Sequence, residues 1–178
     1  MKVKNLTLCA LCAALMALCA WISIPISEIS ITLQTFAVFF TLGLLGGKRG
    51  TLTVLVYILL GAVGLPVFTG FRATAALVGP TGGYIAGFLG SALLYWALTR
   101  AFGERPAVKI GAMVLGNLVC YALGTAWFYA AFASRGTLMG LGAILMMCVV
   151  PYIPFDLIKI FGAFALAQRL QKLLPGQL

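Results

Sequence analysis

The sequence predicts an all-α integral membrane protein, a single bundle of six helices with both termini on the cytoplasmic side. Three observations carry this. The 178 residues are 63% apolar and only 8% charged, whereas an ordinary soluble domain carries about a quarter of its residues as Asp, Glu, Lys and Arg. Uncharged runs recur at 5–27, 29–47, 50–71, 73–99, 110–134 and 136–155, each close to or above the roughly 18–20 residues that cross a hydrocarbon core. The Lys and Arg residues between the runs fall mostly on one side.

The first run follows Lys2 and Lys4. Its charged start and small-residue end resemble a signal peptide, but the later runs are equally apolar, so it reads as a retained first helix. The second and third runs flank Lys48 and Arg49, the fourth ends at Arg100, and the fifth follows Lys109. The end of the chain offers a choice, because Pro151 and Pro154 separate 137–150 from 153–172. Fourteen helical residues rise about 21 Å, too little for a core of about 30 Å, whereas 152–172 would rise about 31 Å. The shorter piece is therefore taken as interfacial and the longer as the sixth crossing. Lys2, Lys4, Lys48, Arg49, Arg100, Arg105, Lys109, Arg169 and Lys172 then lie inside, and only Arg72 and Arg135 lie outside. Seven crossings would weaken that nine-to-two bias to seven against four.

Composition excludes several functions. The net charge of +9 does not point to nucleic acid, because apolar runs separate the basic residues and prevent one wetted basic face. With no histidine, the chain lacks a Ser-His-Asp or Cys-His unit and an imidazole metal site, and its three acids leave little for paired-carboxylate chemistry. No cofactor or metal is expected. Cys9 and Cys12 form a C-x-x-C, but with Cys19 they share one apolar helix, and Cys120 and Cys148 lie in other runs. All five read as small buried thiols. The only Gly-Lys, Gly47-Lys48, has Leu42 where a nucleotide-binding loop needs glycine and Arg49 where it needs Ser or Thr. The chain does not hydrolyse ATP alone.

The polar exceptions mark candidate sites. Asp156 and Lys159 are three apart on the last helix, so both can face the bundle interior. Each mid-membrane charge costs roughly 2.5–3.5 kcal/mol on insertion scales, which marks the pair as functional by default, with a packing ion pair as the bland reading. Counted from Tyr152, they lie about 6 and 10 Å below the outer end. A carboxylate beside an ammonium there suits a small ligand with both N–H donors and an anionic group. Gly79-Pro80-Thr81-Gly82-Gly83-Tyr84 opens the fourth run. It reads equally as a loop that aims Tyr84 into an outer cavity and as a turn followed by Gly83/Gly87 helix packing. Thr32-Leu33-Gln34-Thr35, after Pro25 and Glu28, puts an amide and hydroxyls near the outer boundary. On the first helix Ala10 with Ala14, and Ala13 with Ala17, make a flat strip for either an internal helix contact or a docking partner.

Together, the Pro25–Thr35 segment, Gly64-Leu65-Pro66-Val67-Phe68, Gly79 to Tyr84, and Pro154-Phe155-Asp156-Leu157-Ile158-Lys159 resemble the biotin-specific S component of energy-coupling-factor (ECF) transporters, the BioY family. The motifs keep the family's order over nearly the whole chain. The resemblance implies biotin bound in an outward cavity, and biotin uptake across the bacterial cell (inner) membrane. It also implies partners: a transmembrane coupling T component and two ABC-type ATPases. Ala10, Ala13, Ala14 and Ala17 map onto the family's docking strip, and Asp156 and Lys159 onto its polar ligand contacts. By charge, Lys159 is assigned to the valerate carboxylate and Asp156 to a ureido N–H, with Gln34 as a further polar contact. Phe68, Tyr84 and Trp127 are expected to wall the ring and chain.

One departure bears on substrate. Many family members carry a Gly-Gly-Asn-Gly-like loop after Leu-Pro-Val, where this chain reads Thr69-Gly70-Phe71-Arg72-Ala73-Thr74. Arg72 is thereby a second candidate for the carboxylate. The alternatives are an S component for another vitamin-like substrate and a membrane-embedded enzyme using Asp156 and Lys159 as acid and base.

Overall fold

The computed structural model describes residues 3–25, 29–134, 136 and 140–173; Lys2, Glu28 and Arg135 lie outside the described residues. Helix α1 runs Val3–Trp21, shorter than the uncharged run that predicted it. It stops because Pro25 disfavours helical geometry at Ile24, and the chain turns instead into two short strands. These are β1, Ser23–Pro25, and β2, Ser30–Thr32, antiparallel with Ile24 opposite Ile31. No strand was expected from the sequence.

Helix α2, Gln34–Ala62, is broken at Gly46 (φ 78°, ψ 174°), a left-handed conformation that glycine accepts at little cost. An unbroken helix would hold residues 34 and 57 about 34 Å apart. Instead the Gln34 amide donates to the Tyr57 hydroxyl at 2.8 Å, so 34–45 and 47–62 fold back as antiparallel arms. These are the expected second and third crossings. Their turn is at Gly46, and Lys48 and Arg49 fall in the second arm's first turn. The arms have twelve and sixteen residues, a rise of about 18 and 24 Å, which is less than the hydrocarbon thickness. The shortfall lies at the end away from Gly46, where the hairpin and the 63–81 segment complete the wall. Irregular backbone at membrane depth is tolerated where it lines a cavity or is covered by protein.

A 3₁₀ turn at Thr69–Phe71 and the short α3, Thr74–Val78, lead into α4, Gly82–Phe102. Helix α5, Pro106–Ala133, begins with proline at its first position. Helix α6, Leu141–Cys148, has eight residues, too few to cross, as expected for the interfacial piece. A 3₁₀ turn at Val150–Tyr152 precedes α7, Ile153–Leu173. Among the described residues six segments cross: α1, the two arms of α2, α4, α5 and α7. The ends Val3 and Leu173 therefore lie on the same side as Gly46 and the α4–α5 link. This is also where Gln171 donates its amide to the Gly43 and Leu44 carbonyls at 2.9 and 3.1 Å.

Helices α4 and α5 pack closely because Gly83 and Gly87 carry no side chains. A Cβ built at Gly87 would lie 2.9 Å from the Cys120 Cα, and one at Gly83 would lie 2.7 Å from the Leu123 carbonyl oxygen. The five cysteines are buried and form no disulfide. Two apolar clusters form among the described residues. The larger runs through α1, α2, α4, α5 and α7. The smaller joins Ile29 and Ile31 of the hairpin to Tyr121, Phe128, Ile144, Cys148 and Tyr152.

Candidate ligand-binding site

Between these clusters, at the end opposite the termini, lies a cavity of about 330 Å³, within the roughly 300–1,000 Å³ typical of small-ligand pockets. Asp156, Lys159, Tyr84, Gln34, Phe68 and Arg72 all line it. They come from four separate parts of the chain.

Asp156 stands in the first turn of α7, where a helix N-terminus favours negative charge. Its Oδ1 accepts from the Lys159 Nζ at 2.9 Å and its Oδ2 from the Tyr121 hydroxyl at 2.6 Å. The two charged side chains are only 6% and 10% exposed. The ion pair is thus real, as the packing reading required, yet it faces the cavity. One carboxylate lone pair on each oxygen and two ammonium protons stay uncommitted to it.

Gln34 begins α2, with its backbone N–H donating to the Thr32 hydroxyl at 3.2 Å. Phe68 is buried edge-on to Tyr57, ring centroids 5.5 Å apart. It occupies the space left by the absent side chain of Gly61, where a Cβ would overlap its ring. Tyr84 packs against both clusters and donates its hydroxyl to the Cys148 carbonyl at 3.4 Å. Both readings of the Gly79–Tyr84 segment therefore coexist, Tyr84 in the cavity wall and Gly83 and Gly87 against α5.

Arg72 sits at the exposed rim. Gly70 (φ 69°) and Phe71 (φ 57°) are both left-handed, which closes a tight reversal in which the Phe68 N–H donates to the Arg72 carbonyl at 3.0 Å. Left-handed geometry is uncommon for a bulky residue. Phe71 is held there by Trp21, ring centroids 4.8 Å apart, and Trp21 also donates to the Pro66 carbonyl at 3.0 Å. Neither of the described acids forms an ion pair with Arg72.

One expectation needs correction. Trp127 is not in the cavity lining; it packs against Gly82 and Gly83 and donates to the Gly79 carbonyl at 2.9 Å. The alanine strip is divided: Ala13 and Ala17 are buried in this chain's own core, while Ala10 and Ala14 are exposed. Helix α1 packs on α2 with one half of the strip turned inward. Sequence reasoning also missed Asn117, Tyr121 and Tyr152, which line the cavity. Asn117 carried a signal, an amide within an otherwise apolar run, which a membrane helix retains for a partner or a site. The tyrosines carried none.

The model of the BioY family matches residues 1–176. The chain belongs to the BioY family. A relative in this family, the "Biotin transporter BioY" of Thermotoga maritima, is 42% identical over 161 residues, covering 90% of this chain and 91% of that one. The "Probable biotin transporter BioY" of Pyrococcus horikoshii is 37% identical over 172 residues, covering 96% and 98%. The BioY fold is also met in a crystal structure at 2.1 Å of the S-component for biotin from an ECF-type ABC transporter. It superposes with a TM-score of 0.84 at 29% identity, covering 96% of this chain and 92% of that one.

Proposed function

We propose that this chain binds biotin in the outer cavity and is the substrate-binding subunit of biotin uptake in the cell membrane. It has no enzymatic activity of its own. A transmembrane T component and two ABC ATPases energise it, a reading supported by the match to the S-component of an ECF-type ABC transporter and consistent with a chain whose one Gly-Lys lacks the surrounding phosphate-binding loop. The supporting observation is the buried Asp156–Lys159 pair in the wall of an otherwise mostly apolar cavity, within a family whose named relatives are biotin transporters.

The geometry also bears on ligand orientation. A carboxylate placed on Lys159 would lie within a few ångströms of Asp156. Two like charges 4 Å apart repel by about 4 kcal/mol at an effective dielectric of 20. A ureido ring is neutral and carries two N–H donors and one carbonyl acceptor, which suits the acceptors of Asp156 and the spare donors of Lys159 and Asn117. The valerate carboxylate then points to the rim, where Arg72 is free of an acidic partner among the described residues. This reverses the assignment of Lys159 made from charge alone. It replaces the family's loop asparagine with a charged contact to the tail.

The test is equilibrium binding of radiolabelled biotin to the purified protein, with riboflavin and thiamine as competitors. Saturable binding competed by biotin alone is expected. Absence of saturable binding by monodisperse protein would sink the biotin reading. Arg72→Ala should weaken biotin about 10- to 100-fold, the worth of a hydrogen bond to a charged group, and leave biotin amide, whose tail is neutral, nearly unchanged. Equal losses for both ligands would remove Arg72 from the carboxylate.

A further inference from the structure

The conformation of Gln34 is decided by a residue that does not line the cavity. Tyr57 is fully buried on the second arm of α2. Its hydroxyl has one proton, which goes to the Val67 carbonyl at 2.8 Å. A carbonyl only accepts, so toward Gln34 the tyrosine oxygen must itself be an acceptor. The Gln34 NH₂ therefore faces Tyr57, at 2.8 Å. An amide whose ends are otherwise nearly interchangeable is polarised in one direction by this network. Its Oε1 is left without a partner among the described residues, on a side chain that lines the cavity.

The depth of this acceptor follows from helix packing. The first arm of α2 and α7 run side by side in the same direction, with Gly162 against Phe36 and Ala167 and Gln171 against Gly43. Two residues above Phe36, Gln34 falls level with Ile160, next to Lys159. We infer that Tyr57 is a positioning residue for ligand recognition: it holds Gln34 so that a carbonyl oxygen is offered to a ligand N–H in the layer of Asp156 and Lys159. With Asp156 this supplies one acceptor for each N–H of a cyclic urea. The same hydroxyl ties the Val67–Phe68 backbone to the core, so one buried group sets both a polar contact and an apolar wall. This inference rests on the biotin reading above.

A double-mutant cycle tests it, with biotin affinity and ligand-free thermal unfolding measured on each purified variant. Tyr57→Phe keeps the ring against Phe68 and should weaken biotin about three- to ten-fold, the range of one neutral hydrogen bond. In a Gln34→Met background the same change should have no further effect on affinity, because the group it orients is gone. Additive losses, or an unchanged affinity in Tyr57→Phe alone, would overturn the inference while leaving the biotin reading intact. No binding by the unaltered protein would overturn both. A second comparison leaves Tyr57 untouched. Gln34→Glu offers only acceptors and should retain more binding than Gln34→Met; the reverse ranking would show that the ligand needs a donor there and overturn the inference.

Discussion

Asp156→Ala is expected to abolish biotin binding and to destabilise the protein in the same step. The change strands the Lys159 ammonium and deprives the Tyr121 hydroxyl of its acceptor, both in a buried layer. Removing one partner of a buried pair typically costs about 3–5 kcal/mol, and a comparable loss in binding would exceed about 100-fold. Lys159→Met should act in the same direction, leaving a carboxylate held only by Tyr121. The informative variant is the double one, Asp156→Asn with Lys159→Met. It restores neutrality while keeping volume, so unfolding in detergent should return close to that of the unaltered protein. Biotin binding should stay lost, because the acceptors and the ammonium protons that meet the ureido ring are gone. If the double variant regained near-normal affinity, the pair would be a packing device and the site would have to be sought elsewhere in the cavity.

Gly87→Leu is expected to be as damaging by a different route. A Cβ at this position meets backbone, the Cys120 Cα at 2.9 Å and its carbonyl at 3.2 Å, so no rotamer change can relieve it. Helices α4 and α5 would have to part. Overpacking of this kind costs about 1–3 kcal/mol where side chains can adjust, and more where they cannot. Tyr84, Ile85 and Phe88 of α4 and Cys120 and Tyr121 of α5 all line the cavity, so the cavity opens with the seam. Folded yield and biotin capacity should fall together. Gly111→Ala is the control on the same helix pair. Nothing lies within 4 Å of its built Cβ, and alanine raises helix propensity by about 1 kcal/mol. A Gly87→Leu protein with normal unfolding and normal affinity would show that the close approach of α4 and α5 is unimportant.

Much of the site was legible because the membrane makes polarity expensive. Asp156 and Lys159 stand out in an apolar run whatever their partners, Gln34 stands out near the boundary of one, and Arg72 stands out for another reason, as a charge in a loop that departs from the family's pattern. Tyr121 did not, since a tyrosine in an apolar helix reads as packing until its hydroxyl finds an acceptor, here 35 residues away. Tyr57 was hidden in the same way, its partner 23 residues back across a turn. The alanine strip shows a different limit. Its spacing marks a flat surface but not which half the chain itself covers.

By itself, the sequence determined the six crossings, the short interfacial piece before the last of them, and the presence of a charged pair near one end. Each follows from the transfer free energy of a residue between water and hydrocarbon, which composition and run length capture locally. Only the tertiary structure decided the turn at Gly46 and the β hairpin at 23–32. It also decided the rotation of α1, and the convergence of Gln34, Tyr121, Asp156 and Lys159 on one cavity. Those depend on which side chains meet across helices distant in sequence. Between apolar helices that meeting is settled by shape and a few hydrogen bonds, and no local pattern encodes it.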